Sequence, residues 1–187
     1  MKKELDDKLV GEFPLLYKDR NASMQVTAMC WGFACGDGWF DIIWDLSSKL
    51  EPVIKKYIKD NPNSAECVTC GCKKDRHYGS QTDNVGKCLA IHTDPDSEEL
   101  PPGNYSACFC EKYDGHYPKA AQVKEKYGDL CFYMTLYTDE IRSLIRAAVK
   151  LSQKTCESCG NPGEESFKNG WVSTLCESCY EKSKDPK

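Results

Sequence analysis

No stretch of this sequence approaches the roughly 20 consecutive apolar residues that a membrane-spanning helix needs. The first residues, Met1-Lys-Lys-Glu-Leu-Asp-Asp-Lys8, carry lysines but no apolar stretch behind them. That pattern argues against a secretory signal and for a cytoplasmic location. Positive charge is not in excess: 25 Lys and Arg stand against 29 Asp and Glu, a formal net charge of −4. A general phosphate-binding surface needs clustered excess positive charge and is not expected. Histidine is scarce, with three in 187 residues. The zinc-hydrolase pattern HExxH, the phosphate-binding loop and the nucleophile elbow are all missing.

What the chain does have is cysteine, 13 in all. Without a secretory signal these thiols stay reduced, and reduced cysteines at short spacings read as metal ligands. The length suits one domain, or one domain with a small module. Hydrophobic residues at 40% and charged residues at 29% suit a chain that buries an ordinary globular core.

The strongest motif is Cys156-Glu-Ser-Cys159, followed by Gly160 and, with 16 residues between Cys159 and Cys176, by Cys176-Glu-Ser-Cys179. Two cysteine pairs at this separation match a four-cysteine zinc site. A two-residue gap lets one tight knuckle present two thiolates to one ion, and Gly160 can take the positive φ that follows the second ligand. Asn161-Pro162-Gly163 and Lys168-Asn169-Gly170 are turn signals, and Trp171–Leu175 reads as a strand. The residues after Cys176 read as a helix start. A knuckle, a hairpin and a ligand-bearing helix resemble the treble-clef arrangement. Four thiolates close the coordination shell, so such a site is structural. From Lys150 to Lys187 six lysines balance six acidic residues. Protein binding or a purely structural role therefore outranks nucleic-acid binding here.

A second cluster reads Cys67-Val-Thr-Cys70-Gly71-Cys72, His77, Cys88, His92, Cys108-Phe-Cys110 and His116. One zinc held by Cys67, Cys70, Cys108 and Cys110 is the simplest reading. Two interleaved zincs are the alternative, one on Cys67, Cys70, Cys88 and His92, the other on Cys72, His77, Cys108 and Cys110. No metal at all is the third. This stretch has almost no periodic apolar pattern, and a loop of that length needs a staple or is disordered.

The expected fold is α+β: a small helix and strand body over 1–61 and 119–154, a Cys/His-rich insertion over 62–118, and a four-cysteine zinc finger over 155–187. Residues 8–17 read as an apolar extended segment because Pro14 argues against a helix interior. A helix is expected from about Gly38 to Asp60, with Ile43, Leu46, Leu50, Val53 and Tyr57 on one stripe and Pro52 kinking or restarting it. Lys119–Tyr127 reads as a short helix closed by Gly128. Leu130–Tyr137 reads as a strand with Leu130, Phe132, Met134 and Leu136 on one face. Asp139–Gln153 is the clearest helix, lined by Ile141, Leu144, Ile145, Ala148 and Leu151.

The candidate ligand site is the turn Gly36-Asp37-Gly38-Trp39, with Trp31 and Asp41. Glycines allow close backbone approach, a helix start offers free N–H groups to an anion, and aromatic rings offer a stacking surface. The competing reading makes Trp31, Phe33, Trp39 and Trp44 core and Asp37 a helix cap. No residue earns a catalytic role.

Phe13-Pro-Leu-Leu-Tyr17, Cys30-Trp-Gly-Phe-Ala-Cys-Gly-Asp-Gly-Trp-Phe40 and Gln122-Val-Lys-Glu-Lys-Tyr-Gly-Asp-Leu-Cys-Phe-Tyr133 resemble a family of small tailed-bacteriophage proteins, mostly uncharacterised. Thr155–Gly163 and Gly170–Cys176 match its C-terminal end. The likeness covers most of 10–60 and 119–180, with 62–118 as an insertion. This chain departs from the family with Cys131, where many members carry Arg. The resemblance implies an accessory protein in the cytoplasm of a bacterial host, one that binds a host protein or a nucleotide signal in an anti-defence or takeover role. Two alternatives stand beside it: a transcription regulator that binds RNA polymerase through the finger, and a metal-dependent nuclease or nucleotide hydrolase.

Overall fold

The computed structural model describes residues 1–61, 117–168 and 170–184, together with four two-residue strands between them. In chain order the elements are α1 (Lys3–Glu12), β1 (Phe33–Ala34), α2 (Phe40–Asp60), β2 (His77–Tyr78), β3 (Lys87–Cys88), β4 (Ile91–His92), β5 (Ser106–Ala107), β6 (Ala120–Lys126), β7 (Asp129–Met134), α3 (Asp139–Ser152), β8 (Glu164–Lys168), β9 (Trp171–Leu175) and α4 (Glu177–Lys184). Helices with small mixed sheets make the fold α+β. No described helix is long and apolar enough to cross a membrane.

The chain forms two compact units, Met1–Lys56 with Pro118–Lys187, and Tyr57–Tyr117. In the second unit β2 pairs antiparallel with β3 and β4 with β5, which sets His77 opposite Cys88 and His92 opposite Ser106 in backbone register. Cys67, Cys70, Cys72, Cys108, Cys110 and His116, and with them the expected second zinc, lie outside the described residues.

In the first unit β6 is the centre of a three-stranded sheet, parallel to β1 and antiparallel to β7. This corrects the expected helix at 119–127. Ala, Gln, Lys and Glu favour a helix locally, but Ala120 and Val123 are buried and pair across the sheet. Tertiary pairing overrides a weak propensity. The strand ends at Tyr127 and Gly128, with φ of 55° and 81°. Two residues at positive φ make the tight turn whose twist matches a hairpin.

The extended reading of 8–17 is also corrected. α1 runs through Glu12, and the chain then winds back on itself, with the Tyr17 N–H donating to the Phe13 carbonyl at 3.1 Å. Pro14 is tolerated because the start of a turn needs no N–H donor at that position. The free N–H groups of Leu15 and Leu16 are taken by the buried carboxylate of Glu51, at 3.3 and 3.0 Å.

α2 runs unbroken through Pro52. Proline removes the bond to the Ser48 carbonyl, and both residues lie on the exposed face, where water can replace it. Ile43, Leu46, Leu50 and Ile54 are its buried stripe, and Ser47 joins them by bonding the Tyr17 hydroxyl at 2.7 Å. α3 begins at Thr138, whose hydroxyl accepts the Ile141 N–H at 3.2 Å. It ends at Ser152, whose hydroxyl accepts the Leu130 N–H of β7 at 3.1 Å. Ile141 and Ala148 are buried, whereas Leu151 at the end of the expected stripe is exposed.

α1 is tied to the rest by a two-pronged ion pair. Arg20 Nε and Nη2 donate to the two Asp6 carboxylate oxygens at 2.9 and 2.7 Å, and Nη1 reaches the Cys30 carbonyl at 3.1 Å. Gly32, at φ 76°, passes this pair so closely that a Cβ would lie 2.5 Å from the Asp6 carboxylate.

Candidate metal centre

The chain turns sharply after Thr155. The Cys156 N–H donates to the Asn161 carbonyl at 2.7 Å and the Gly160 N–H to the Cys156 carbonyl at 2.9 Å. Gly160 sits at φ 80°, as a knuckle requires after its second cysteine. β8 and β9 then form a hairpin in continuous register from Glu164↔Leu175 to Lys168↔Trp171. It delivers Cys176 to the start of α4 and Cys179 to its first turn.

The result is a cluster of Cys156, Cys159, Cys176 and Cys179 whose sulfurs all lie within 4.8 Å of one another. The Sγ atoms of Cys159 and Cys176 are 3.6 Å apart. Four thiolates about 2.3 Å from one tetrahedral ion stand about 3.8 Å from each other, so the cage has the size a metal ion needs. Taken as four thiols, the cluster is unevenly tuned. The Ser178 hydroxyl and the Cys179 N–H draw Cys176 down to about 6. Cys159 and Cys176 push Cys179 up to about 12. The donors are all sulfur and number four, which leaves no position for water or substrate.

The cage does not stand alone, because Cys156 is buried against the body. The Gly38 N–H donates to the Glu157 carbonyl at 2.7 Å, and the Gly36 N–H to the Glu157 carboxylate at 2.7 Å. Trp39 is fully buried and its indole N–H reaches the Thr155 carbonyl at 2.8 Å. On the other flank, the Glu157 N–H donates to the Thr174 carbonyl at 2.9 Å, and the Thr174 hydroxyl donates to the Gly128 carbonyl at 2.7 Å. Burial raises the Glu157 carboxyl above the usual range, against the Gly36 N–H that lowers it.

This places each residue of the candidate turn. Gly36, Gly38 and Trp39 face the knuckle, and the close approach their glycines permit is an approach to the chain's own backbone. Asp37 points the other way. Its carboxylate accepts the Lys2 N–H at 2.7 Å and lies 3.3 Å from the Lys2 ammonium, so it caps the start of α1. That N–H bond, helped by the ammonium, holds its carboxyl below the ordinary value. Trp31 and Asp41 remain exposed, with Trp31 at 65%. Phe33 is core, while Trp44 stacks edge-on against Phe13 with ring centroids 5.0 Å apart.

Sequence reasoning missed Glu157. The chain contains Cys-Glu-Ser-Cys twice, and the second copy's Glu177 is exposed. Nothing in the motif distinguishes the two. The available signal was the Gly36-x-Gly38 pair, which demands a close neighbour without naming it.

Comparison of the chain with known protein families, curated proteins and solved structures gives no match.

Proposed function

We propose that this is a zinc-stapled accessory protein of the bacteriophage type that acts in a bacterial cytoplasm by stoichiometric binding of a host protein, in an anti-defence or takeover role. Zinc is the ion that suits four sulfur donors in a tetrahedral cage without redox chemistry. The order of knuckle, hairpin and helix resembles a treble clef.

The observation that carries the reading is the closed four-thiolate cage locked onto the body through Gly36, Gly38 and Trp39. Such a cage holds a scaffold together and offers no reactive position, which favours binding over catalysis. The scaffold leaves three large apolar side chains exposed between positions 24 and 31: Met24 at 68%, Val26 at 64% and Trp31 at 65%. Exposed apolar side chains of this kind suit a protein contact.

The test is affinity capture of the tagged protein from its bacterial host, beside a Trp31→Ala variant. One host protein recovered near one-to-one, and lost with the variant, supports the reading. Recovery of RNA polymerase instead replaces it with the transcription-regulator alternative. Turnover of nucleic acid or nucleotide by the purified protein replaces it with the enzyme alternative.

A further inference from the structure

A concave surface lies between β7 and α3, on residues that belong neither to the cage nor to the exposed stretch 24–31. β7 is an edge strand and α3 packs beside it. Between them is an open groove of about 490 Å³, lined by Phe132, Tyr133, Tyr137, Arg142, Ile145 and Arg146. That volume is within the range of small-ligand sites.

The lining has a definite chemistry. Arg142 and Arg146 stand one turn apart on α3, so both guanidinium groups project from the same flank of the helix. No carboxylate lines the groove, and among the described residues neither arginine forms an ion pair. Arg142 lies over the Tyr137 ring, 4.7 Å from its centroid. Tyr137 is in turn fixed, its hydroxyl accepting the Met134 N–H at 3.0 Å. Arg146 Nε donates to the Arg142 carbonyl at 3.2 Å. Tyr133 is 41% exposed, with the Lys124 ammonium 5.6 Å from its ring centroid. Lys124 is cross-strand to Cys131 and on the same sheet face as Tyr133.

Two unneutralised guanidinium forks match phosphate oxygens. A tyrosine ring beside them matches the flat face of a base. Phe132 and Ile145 supply the apolar floor. The net charge of −4 argues against a broad basic face, but it does not bear on a groove whose own charge is positive. We infer that the groove between β7 and α3 binds a nucleoside phosphate, with Arg142 and Arg146 on the phosphate and Tyr133 against the base. This inference is independent of the protein-partner reading, because it rests on other residues and its test needs no host factor.

The test uses the full-length, metal-loaded protein, isotope-labelled for nuclear magnetic resonance. It is titrated with each of the four nucleoside 5′-monophosphates, with adenosine, with inorganic phosphate and with a single-stranded hexanucleotide. The expected result is saturable movement of the Arg142 and Arg146 side-chain N–H signals and of Tyr133 with at least one monophosphate or the hexanucleotide. Adenosine and inorganic phosphate should each bind at least about tenfold more weakly, because each makes only half of the contacts. A hexanucleotide that outcompetes every monophosphate identifies a strand as the source of the nucleotide, and the reverse identifies a free nucleotide. The double variant Arg142→Ala/Arg146→Ala should lose about tenfold or more. Arg146→Lys keeps the charge but not the fork, and should weaken binding with the fold untouched. Inorganic phosphate binding as tightly as every nucleotide overturns the inference. So does the absence of movement at millimolar ligand, or full affinity in Arg146→Lys and in Tyr133→Ala.

Discussion

The Gly38 N–H and the Glu157 carbonyl meet at 2.7 Å, and through that bond the cysteine knuckle rests on the turn that starts α2. Each side of the contact is backbone. A Cβ on Gly38 would fall well inside contact distance of the Cys156 carbonyl and the Gly160 nitrogen, and 2.6 Å from the Cys159 nitrogen. None of these atoms can swing aside as a side chain could.

Gly38→Ala should therefore cost about 3 kcal/mol or more, the upper end for forcing atoms into a packed site. For a chain of this length that lowers the Tm by roughly 10 °C. Denaturant melts of the variant and the parent measure it. A loss under about 0.5 kcal/mol would show that the knuckle does not bear on this turn.

Metal removal should loosen the body as well as the cage. Cys179→Ser should lower the metal count by one relative to the parent in native mass spectrometry, whatever the rest of the chain binds. Because Trp39 is fully buried and its indole N–H is held by Thr155, chelation should shift tryptophan emission to longer wavelength. A Trp39→Phe variant should lose most of that shift. Unchanged emission after the ion has left would mean that the knuckle keeps its place without it.

Cys35 supplies a prediction on the alkaline side. Burial pushes its thiol from the ordinary 9.0 to about 12. The folded state thus keeps the proton that the unfolded chain gives up. Its contribution to stability is full below pH 9 and falls as the pH rises from 9 towards 12, by at most about 1.4 kcal/mol per pH unit. Cys35→Ala should flatten the fall of unfolding free energy between pH 9 and 10.5 relative to the parent. In the same range Cys35 should resist iodoacetamide in the folded protein. Equal slopes in the two proteins would refute the assignment.

The elements that could be read in advance are those whose apolar spacing agrees with their packing. Ile43, Leu46 and Leu50 announce α2, and Leu130, Phe132 and Met134 announce β7. The four finger cysteines come together as their spacing demands. β6 could not be read this way, because Ala120-Ala-Gln-Val-Lys-Glu-Lys126 is locally a fair helix and becomes a strand only beside β1 and β7. α1 was obscured by Pro14, which punctuates the chain two residues after the helix has ended. The turn at Gly36–Trp39 showed the need for close approach, but the approaching group is some 120 positions away: the Gly36 N–H and Glu157 are separated by 121 residues. The arginine groove carried no signal, since Arg142 and Arg146 one turn apart read as an ordinary solvated face until β7 is set beside them.

The turn at 36–39 also has a history during synthesis. Its Asp37 accepts the Lys2 N–H from 35 positions before it, and its Gly36 N–H reaches Glu157 121 positions after it, so four residues join segments far apart in the chain. Contacts so distant in sequence form slowly, because a long loop must close before they can repay it. A nascent chain halted short of Cys176 would own α1, α2 and the sheet strands, yet would lack the half of the cage that fixes the knuckle. Thr155, the partner of the Trp39 indole, would then lead into a cage with only two of its four cysteines. Translation through Cys176 and Cys179 is thus what makes the second half of the cage available to the knuckle.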